Sequence, residues 1–298
     1  MRRAGVALFD SGIGGLTVLA ECRKYFPDTD FYYYGDNKHA PYGNLSETQI
    51  FKYVEKAFSL FKKLRVRAVV LACNTVTAVC VETLRKEYAM PIIGAEPAIM
   101  TAAKRGGKVF VLATCATCNS SRFSKLCQKA HSAYPSAQII SYACEGLAGE
   151  IEEHLSDLSY DFTQNLPTGN PDGVVLGCTH YIYLKERISE FYRCPCYDGN
   201  VGIVNRLKNM LFECKKNAAL TQKNKIRQKN RDRRPLFPNL SERSKCATTR
   251  NPRKLKGIKA NKCSWLRKAK GRQKKGRIYF LGSGKRRNKA VFERMFAE

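Results

Sequence analysis

Short runs of consecutive apolar residues recur along the chain, and two of them end in the same way. Val69–Ala72 is followed by Cys73, and Val174–Gly177 is followed by Cys178, in each case with small polar residues next. Uninterrupted valine-rich runs of this length are typical of strands that are buried on both faces of a parallel sheet. Ligands of such sheets bind at the carboxyl ends of the strands. The pattern therefore predicts two similar α/β halves, each with one cysteine at a ligand-binding edge.

Other parts of the pattern predict the elements around these two strands. Ser46 and Gln49 have the spacing of a helix capping box, and the apolar residues that follow them recur at helical spacing. Helices are also expected after the two cysteines, as far as about Tyr88 and about Tyr192. Further strands are expected at Val6–Phe9, Phe31–Asp36, Lys108–Ala113 and Ile139–Cys144.

Positive charge is concentrated in one part of the chain. The net charge is +28, and residues 221–277 alone hold 22 lysines and arginines but only two acidic residues. A segment with so few apolar residues cannot bury a core of its own, so we expect residues 221–276 to be disordered or partly helical. Two interpretations stay open, a solvated insertion or an electrostatic arm that binds nucleic acid or an anionic surface.

The cysteine content and the lack of long apolar runs indicate a cytoplasmic protein. No apolar stretch approaches the roughly 20 residues that span a bilayer, and the first residues do not have the pattern of a signal peptide. Thirteen cysteines in such a chain favour free thiols in a reducing compartment. Cys115 and Cys118 have no second pair that would complete a zinc site, so we interpret them as small residues of a turn and expect no metal.

Two thiols that face one carbon atom from opposite sides can invert its configuration. One thiolate removes the proton while the other thiol delivers a proton to the opposite face, and neither a metal nor a cofactor is needed. A helix start beside Cys73 and Cys178 favours the thiolate form through the helix dipole. Asn74, Thr75 and Thr179, with the adjacent backbone N–H groups, are placed to stabilise the negative charge that develops.

A glycine-rich turn follows the first predicted strand, at Asp10–Gly15. Glycines let the backbone approach a ligand closely, and the start of a helix attracts anions. The spacing is neither that of a dinucleotide-binding turn nor that of a P-loop, so no nucleotide is expected. Asp10 could orient or polarise a nearby group, or it could simply cap the following helix.

Five motifs, in the same order, resemble those of the glutamate racemases of bacterial cell-wall synthesis. The resemblance covers about residues 5–215 and resumes at residues 277–284. It implies a cofactor-free, two-base interconversion of L- and D-glutamate that supplies D-glutamate for peptidoglycan. The motifs are Phe9–Leu16, Gly35–Gly43, Ala72–Thr75, Glu96–Pro97 and Gly177–His180.

The resemblance also implies roles for individual residues. Cys73 and Cys178 would be the acid/base pair, with Asp10 assisting the Cys73 side and His180 assisting the Cys178 side. Glu152 aligns with a family glutamate that supports this histidine, although the sequence before Glu152 lacks the prolines that are common in the family. The residues implied to hold the substrate are Asp10, Ser11, Tyr42, Gly43, Asn74, Thr75, Thr179 and His180.

The family fold has two α/β lobes related by a pseudo-twofold axis, with the site in the cleft between them. The end of the family's chain returns to the first lobe. Applied to this sequence, the first lobe comprises residues 1–98, 208–220 and 277–298, the second lobe comprises residues 99–207, and the basic insertion comprises residues 221–276.

Two alternatives to a glutamate racemase stay open. Paired cysteines would equally serve a racemase of aspartate or of a related dicarboxylate, although the Asp10–Ser11 motif and the Pro41–Gly43 loop favour glutamate. The chain could instead be a nucleic-acid-binding protein on a racemase scaffold, acting through the basic insertion, but cysteines at both positions argue against this. Glutamate is the expected small-molecule partner, and a homodimer is the candidate assembly.

Overall fold

The computed structural model describes residues 5–157, 159–213 and 275–296. Strands and helices alternate along most of this length, as is typical of parallel α/β sheets. In chain order the described elements are β1 (Val6–Asp10), α1 (Leu16–Tyr25), β2 (Phe31–Gly35), α2 (Glu47–Leu64), β3 (Ala68–Leu71), α3 (Asn74–Glu87), β4 (Ile92–Gly94), α4 (Ile99–Ala103), β5 (Gly107–Ala113), α5 (Cys115–Cys118), α6 (Ser121–Ala133), β6 (Ala137–Ala143), α7 (Leu147–His154), β7 (Gly173–Leu176), α8 (Lys185–Tyr192), β8 (Cys196–Tyr197), α9 (200–213), β9 (Ile278–Leu281) and α10 (Lys285–Phe296).

The first sheet has the strand order β4-β3-β1-β2-β9, and each neighbouring pair is parallel. β1 is therefore the central strand, and all five of its residues are buried. β9 pairs with β2, with Phe31 opposite Ile278, so the last described strand lies in the same sheet as the first strand.

The second sheet has the strand order β6-β5-β7-β8 and is also parallel. β3 and β7, the two valine-rich strands that precede the cysteines, are buried along their whole length. Both sheets belong to one compact unit. The prediction of two parallel α/β halves is thus confirmed.

Helix α2 shows how the first sheet is covered. Val54, Phe58 and Phe61 of α2 are fully buried and pack in one hydrophobic cluster with Val69 and Leu71 of β3. Burial of each such side chain stabilises the fold by about 1.5–3 kcal/mol relative to leaving it in water.

The start of α2 has the capping box that its sequence predicts. The hydroxyl of Ser46 accepts a hydrogen bond from the backbone N–H of Gln49 at 3.3 Å, and the side-chain oxygen of Gln49 accepts one from the N–H of Ser46 at 3.0 Å. These bonds satisfy two of the backbone donors that a helix start leaves without partners.

The structure departs from the expected elements after Cys178. The chain there first forms a 3-10 helix, His180–Leu184, and the α-helix begins only at Lys185. The expected lobe boundary between residues 207 and 208 falls inside α9, which is continuous there, and the lobe limits stay a prediction. Most of the basic segment 221–276 lies outside the described residues.

None of the helices in the described ranges combines the length and the apolar character that crossing a bilayer requires.

We expect Ser46→Ala to lower the free energy of unfolding by about 1 kcal/mol, because it removes the side-chain acceptor at the start of α2. Ser46→Gly is the matched control and should cost only a few tenths of a kcal/mol, since glycine is a much better N-cap than alanine. Urea unfolding followed by circular dichroism measures both. Equal losses in the two variants would contradict a capping role for this hydroxyl.

Candidate active site

Cys73 and Cys178 occupy equivalent places in the two sheets. Each lies two residues beyond the end of its strand, Leu71 in β3 and Leu176 in β7. Cys73 is 5% exposed and Cys178 is 6% exposed. Because parallel strands end at one edge of a sheet, the side chains that follow the neighbouring strands gather around each cysteine.

The thiol of Cys73 lies beside the glycine-rich turn, with its sulfur 3.7 Å from the hydroxyl oxygen of Ser11. Burial, and after it the charge of Asp10, raises the pKa of Cys73 to about 12, although the backbone N–H of Val76 opposes the shift. The helix start does favour the thiolate at Cys73, as expected, through this N–H group, but burial outweighs it and the thiol form gains overall. Cys178 also contributes to the shift, so the two thiols lie within electrostatic range of each other.

A chain of contacts leads from Cys178 to a buried carboxylate. The Nδ1 atom of His180 lies 3.7 Å from the sulfur of Cys178, and its Nε2 atom lies 2.8 Å from Oε1 of Glu152. Burial lowers the pKa of His180, but the hydrogen bonds and charges of Cys178 and Glu152 outweigh burial and raise it well above the ordinary value. The imidazole therefore keeps its positive charge to a higher pH than a free histidine does.

The carboxylate of Glu152, on α7, has partners on both oxygens. Oε1 also accepts a hydrogen bond from the backbone N–H of Ile13 at 2.8 Å, and Oε2 lies 3.0 Å from a guanidinium nitrogen of Arg287. Burial raises the pKa of Glu152, but His180, the N–H of Ile13 and Arg287 together bring it below the ordinary value. The structure thus brings Glu152 to His180, despite the unusual sequence before α7.

Asp10 connects the glycine-rich turn to Thr179, which follows Cys178. It is fully buried at the end of β1, where Oδ1 accepts from the N–H of Gly12 at 3.0 Å and Oδ2 accepts from the hydroxyl of Thr179 at 3.3 Å. Burial raises the pKa of Asp10 above its ordinary value, against the charge of His180. The alternative that Asp10 caps α1 is wrong, because the N-cap is Gly15 and no side chain caps this helix.

Two glycines of the turn are required by close approach rather than by backbone conformation. A Cβ atom at Gly12 would overlap the carboxylate of Glu152, and one at Gly14 would overlap the hydroxyl of Thr179. The backbone of the turn therefore lies directly against side chains that come from α7 and from the segment after β7.

Asn74 and Thr75, the first residues of α3, lie toward the second sheet. The side-chain oxygen of Asn74 is buried and has no hydrogen-bond partner among the described residues. The hydroxyl of Thr75 lies 2.9 Å from that of Thr114 and 3.4 Å from that of Thr117. These three hydroxyls and the free amide oxygen form a polar patch that contains both donors and an acceptor.

Tyr42 and Gly43 lie in a short 3-10 helix, Tyr42–Asn44, after β2. The hydroxyl of Tyr42 donates to the carboxylate of Asp36 at 2.7 Å, and burial followed by Asp36 raises the pKa of Tyr42. A Cβ atom at Gly43 would lie 3.2 Å from the Cβ atom of Thr114, so this backbone packs closely against the end of β5.

Five side chains in this network were not among the residues predicted from the sequence. Thr114 and Thr117 follow β5, so the rule that ligands bind at the carboxyl ends of strands could have found them. The hydroxyls of Tyr33 and Tyr183 donate to backbone carbonyls of the glycine-rich turn, at 2.7 Å and 2.8 Å. Tyr33, Tyr183 and Arg287 carry no local sequence signal for these contacts.

A cavity of about 680 Å³ reaches this region from the side of α3 and α6. Its wall includes Asn74 and Thr117, whereas neither Cys73 nor Cys178 contributes to it. The cavity therefore meets the polar patch at the start of α3 and not the thiols themselves.

The chain is similar in sequence to known proteins of one family. A family sequence model described as Asp/Glu/Hydantoin racemase matches residues 18–207, a range that includes both cysteines. A glutamate racemase from Leptospira interrogans is 37% identical over 213 residues, which are 69% of this chain and 82% of that protein.

Two solved structures are similar to this fold. The glutamate racemase from Escherichia coli, in complex with L-glutamate and the activator UDP-MurNAc-ala, has a TM-score of 0.63 and 29% identity, and the match covers 70% of this chain and 83% of that chain. The glutamate racemase from Francisella tularensis, in complex with D-glutamate, has a TM-score of 0.60 and 28% identity, with 72% and 83% covered.

We expect His180→Asn to flatten the fall of stability at alkaline pH. Above about pH 6.5 the folded protein keeps the proton of His180, whereas the unfolded chain releases it. The contribution of His180 to stability is therefore complete below this pH, and it is lost as the pH rises through the pKa of His180 in the folded protein. Urea unfolding at about pH 6, about pH 7.5 and about pH 9 should show a steeper fall in the unaltered protein, by at most about 1.4 kcal/mol per pH unit. A difference between the two proteins that is constant with pH would contradict this.

Proposed function

The chain belongs to the Asp/Glu/Hydantoin racemase family, and we propose that it is a glutamate racemase that interconverts L- and D-glutamate. The observation that carries the proposal is the equivalent placement of Cys73 and Cys178 after β3 and β7, each with a polar partner of its own. The similarity to glutamate racemases over more than two thirds of the chain supports glutamate as the substrate.

The proposed reaction moves one proton at Cα without a cofactor. One sulfur, as thiolate, takes the α-proton, the electron pair is held briefly on the substrate, and the other sulfur, as thiol, delivers its proton to the opposite face. The N–H groups at the start of α3 and the hydroxyl of Thr75 would stabilise the carboxylate on which negative charge develops. The unpartnered oxygen of Asn74 would accept a hydrogen bond from the substrate ammonium.

The two sulfurs would be served by different partners. Burial raises the pKa of Cys73 to about 12, which favours its thiol form in the free protein, the form that delivers a proton to Cα. Asp10 would assist it as a nearby carboxylate whose raised pKa makes it a better proton acceptor than an ordinary aspartate. His180, held by Glu152, would exchange a proton with Cys178.

The remaining substrate contacts and the biological setting follow from the same proposal. Ser11, Tyr42, Gly43 and Thr179 would complete the substrate site. D-glutamate would be consumed in peptidoglycan synthesis, and the cysteine content favours the cytoplasm as the location. A homodimer also belongs to the proposal, and sedimentation of the full chain tests it.

We expect Cys73→Ser and Cys178→Ser each to lower racemisation by about 10²- to 10⁴-fold, the usual contribution of a positioned acid or base. The measurement is circular dichroism of each glutamate enantiomer, together with deuterium incorporation at Cα in heavy water. Cys80→Ser is the matched control, since Cys80 is a buried cysteine two turns along α3 and outside the network.

Several outcomes would overturn this proposal. Racemisation at an unchanged rate in either Cys73→Ser or Cys178→Ser would exclude the two-base mechanism. An equal loss in Cys80→Ser would assign the effect to folding. Turnover of aspartate with no turnover of glutamate would replace the proposed substrate by the alternative one.

We propose separately that residues 221–276 bind a polyanion, on the strength of their charge alone. Deletion of residues 222–275 should leave glutamate turnover nearly unchanged and should weaken binding to duplex DNA, with a smaller dependence of affinity on salt concentration. Fluorescence anisotropy at two salt concentrations measures this. An unchanged affinity after the deletion would remove the proposal.

A further inference from the structure

Helix α10 packs against the first sheet and also reaches the second lobe. Val291 and Phe292 are buried, and the rings of Phe292 and Phe280 of β9 lie 5.9 Å apart between centroids. On another side of the helix, Arg294 donates to the hydroxyl of Ser156 at 2.8 Å, just beyond the end of α7. The helix therefore lies across both α/β halves of the compact unit.

Arg287 is the residue through which α10 contacts the site. One guanidinium nitrogen lies 3.0 Å from Oε2 of Glu152, and another donates to the backbone carbonyl of Glu152. The two guanidinium nitrogens bind both the carboxylate and the backbone of Glu152, and this restricts the direction in which the Glu152 side chain can point. Arg287 itself touches neither Cys178 nor His180 among its described contacts.

The two carboxylate oxygens of Glu152 have different partners, and this explains why the contact with Arg287 matters. Oε1 interacts with His180 and with the N–H of Ile13. Among the described residues, the partner of Oε2 is Arg287. Without it, a buried carboxylate oxygen would lose its charged partner, and the side chain could rotate toward water and away from His180.

We propose that Arg287 is a positioning residue for the Cys178 side of the reaction, which holds Glu152 in place so that His180 can exchange a proton with Cys178. This inference rests on the proposed racemase function. It assigns to the C-terminal helix a part in catalysis, because proton transfer at one of the two sulfurs then depends on the docking of α10.

The titratable and charged groups that face Glu152 come from several elements. They are His180 on the 3-10 helix, Arg287 on α10, Asp10 at the end of β1, and the hydroxyls of Tyr33 and Tyr183. Arg287 is the permanent cation of this group. Its removal should therefore make Glu152 protonate at a higher pH, which moves the acidic limb of the kcat profile upward.

The test compares Arg287→Ala and Arg287→Lys with Arg294→Ala. Arg294 is the matched control, since it is an arginine two turns further along α10 whose contact is Ser156 and not Glu152. We expect Arg287→Ala to lower kcat by roughly 5- to 20-fold with little change in KM, as for the loss of one partly exposed charge-assisted hydrogen bond. Arg287→Lys should recover part of the rate, and Arg294→Ala should retain it.

Substrate deuterated at Cα distinguishes a positioning role from a merely structural one. When proton transfer at Cys178 becomes slow, the isotope effect should rise in the direction in which Cys178 removes the label. It should fall in the opposite direction, in which delivery of a solvent proton by Cys178 becomes limiting. A general loosening of the structure would change both directions alike.

The outcomes separate this inference from the proposed function. Absence of racemisation in the unaltered protein would overturn the function itself. Normal racemisation in the unaltered protein, with Arg287→Ala indistinguishable from Arg294→Ala or with equal isotope changes in both directions, would overturn the role of Arg287 alone. If Arg287→Ala does not fold by circular dichroism, Arg287→Lys decides by the same isotope and pH measurements.

Discussion

The arrangement of the site depends on the carboxylate of Glu152 being ionised inside the protein. Moving such a charge out of water costs several kcal/mol unless hydrogen bonds and opposite charge replace its hydration. Three separate stretches of chain supply them: the N–H of Ile13, the ring of His180 and the guanidinium of Arg287. A single charged group therefore holds together the glycine-rich turn, the segment after β7 and the C-terminal helix. The same requirement explains Gly12, where any side chain would occupy the space of this carboxylate.

Around this carboxylate, one topological rule gathers the remaining polar groups. In each parallel sheet the residues that follow the strands collect at one edge. The short pattern of a buried strand, a cysteine and small polar residues occurs once in each sheet, so each sheet has one thiol at this edge. The rule makes the two positions equivalent but leaves their neighbours free to differ. Ser11 lies beside one sulfur and His180 beside the other, at the same distance of 3.7 Å.

The features that could be predicted from the sequence are those decided within one element. The buried strands, the capping box at Ser46 and the positions of the cysteines each depend on a few consecutive residues. The pKa of Cys73 could not be predicted, because burial in the folded protein outweighs the local effect of the helix start. The contact of Arg287 with Glu152 joins residues 135 positions apart, and it exists only because β9 returns to pair with β2.

The two sides of the site are equivalent in position but differ in the direction of their pKa shifts. Beside Cys73, burial raises the pKa of both the thiol and Asp10, so each keeps its proton to a higher pH than it would in water. Beside Cys178, mutual contacts raise the pKa of His180 and lower that of Glu152, so charged forms are favoured. Environments that push pKa values apart in this way assign different proton-transfer roles to similar groups. Two enantiomers have equal free energies in water, so this asymmetry cannot favour either product. It can only decide which of the two proton transfers is slower, and the chain is therefore free to support one sulfur with an ion pair and the other with a single buried carboxyl group.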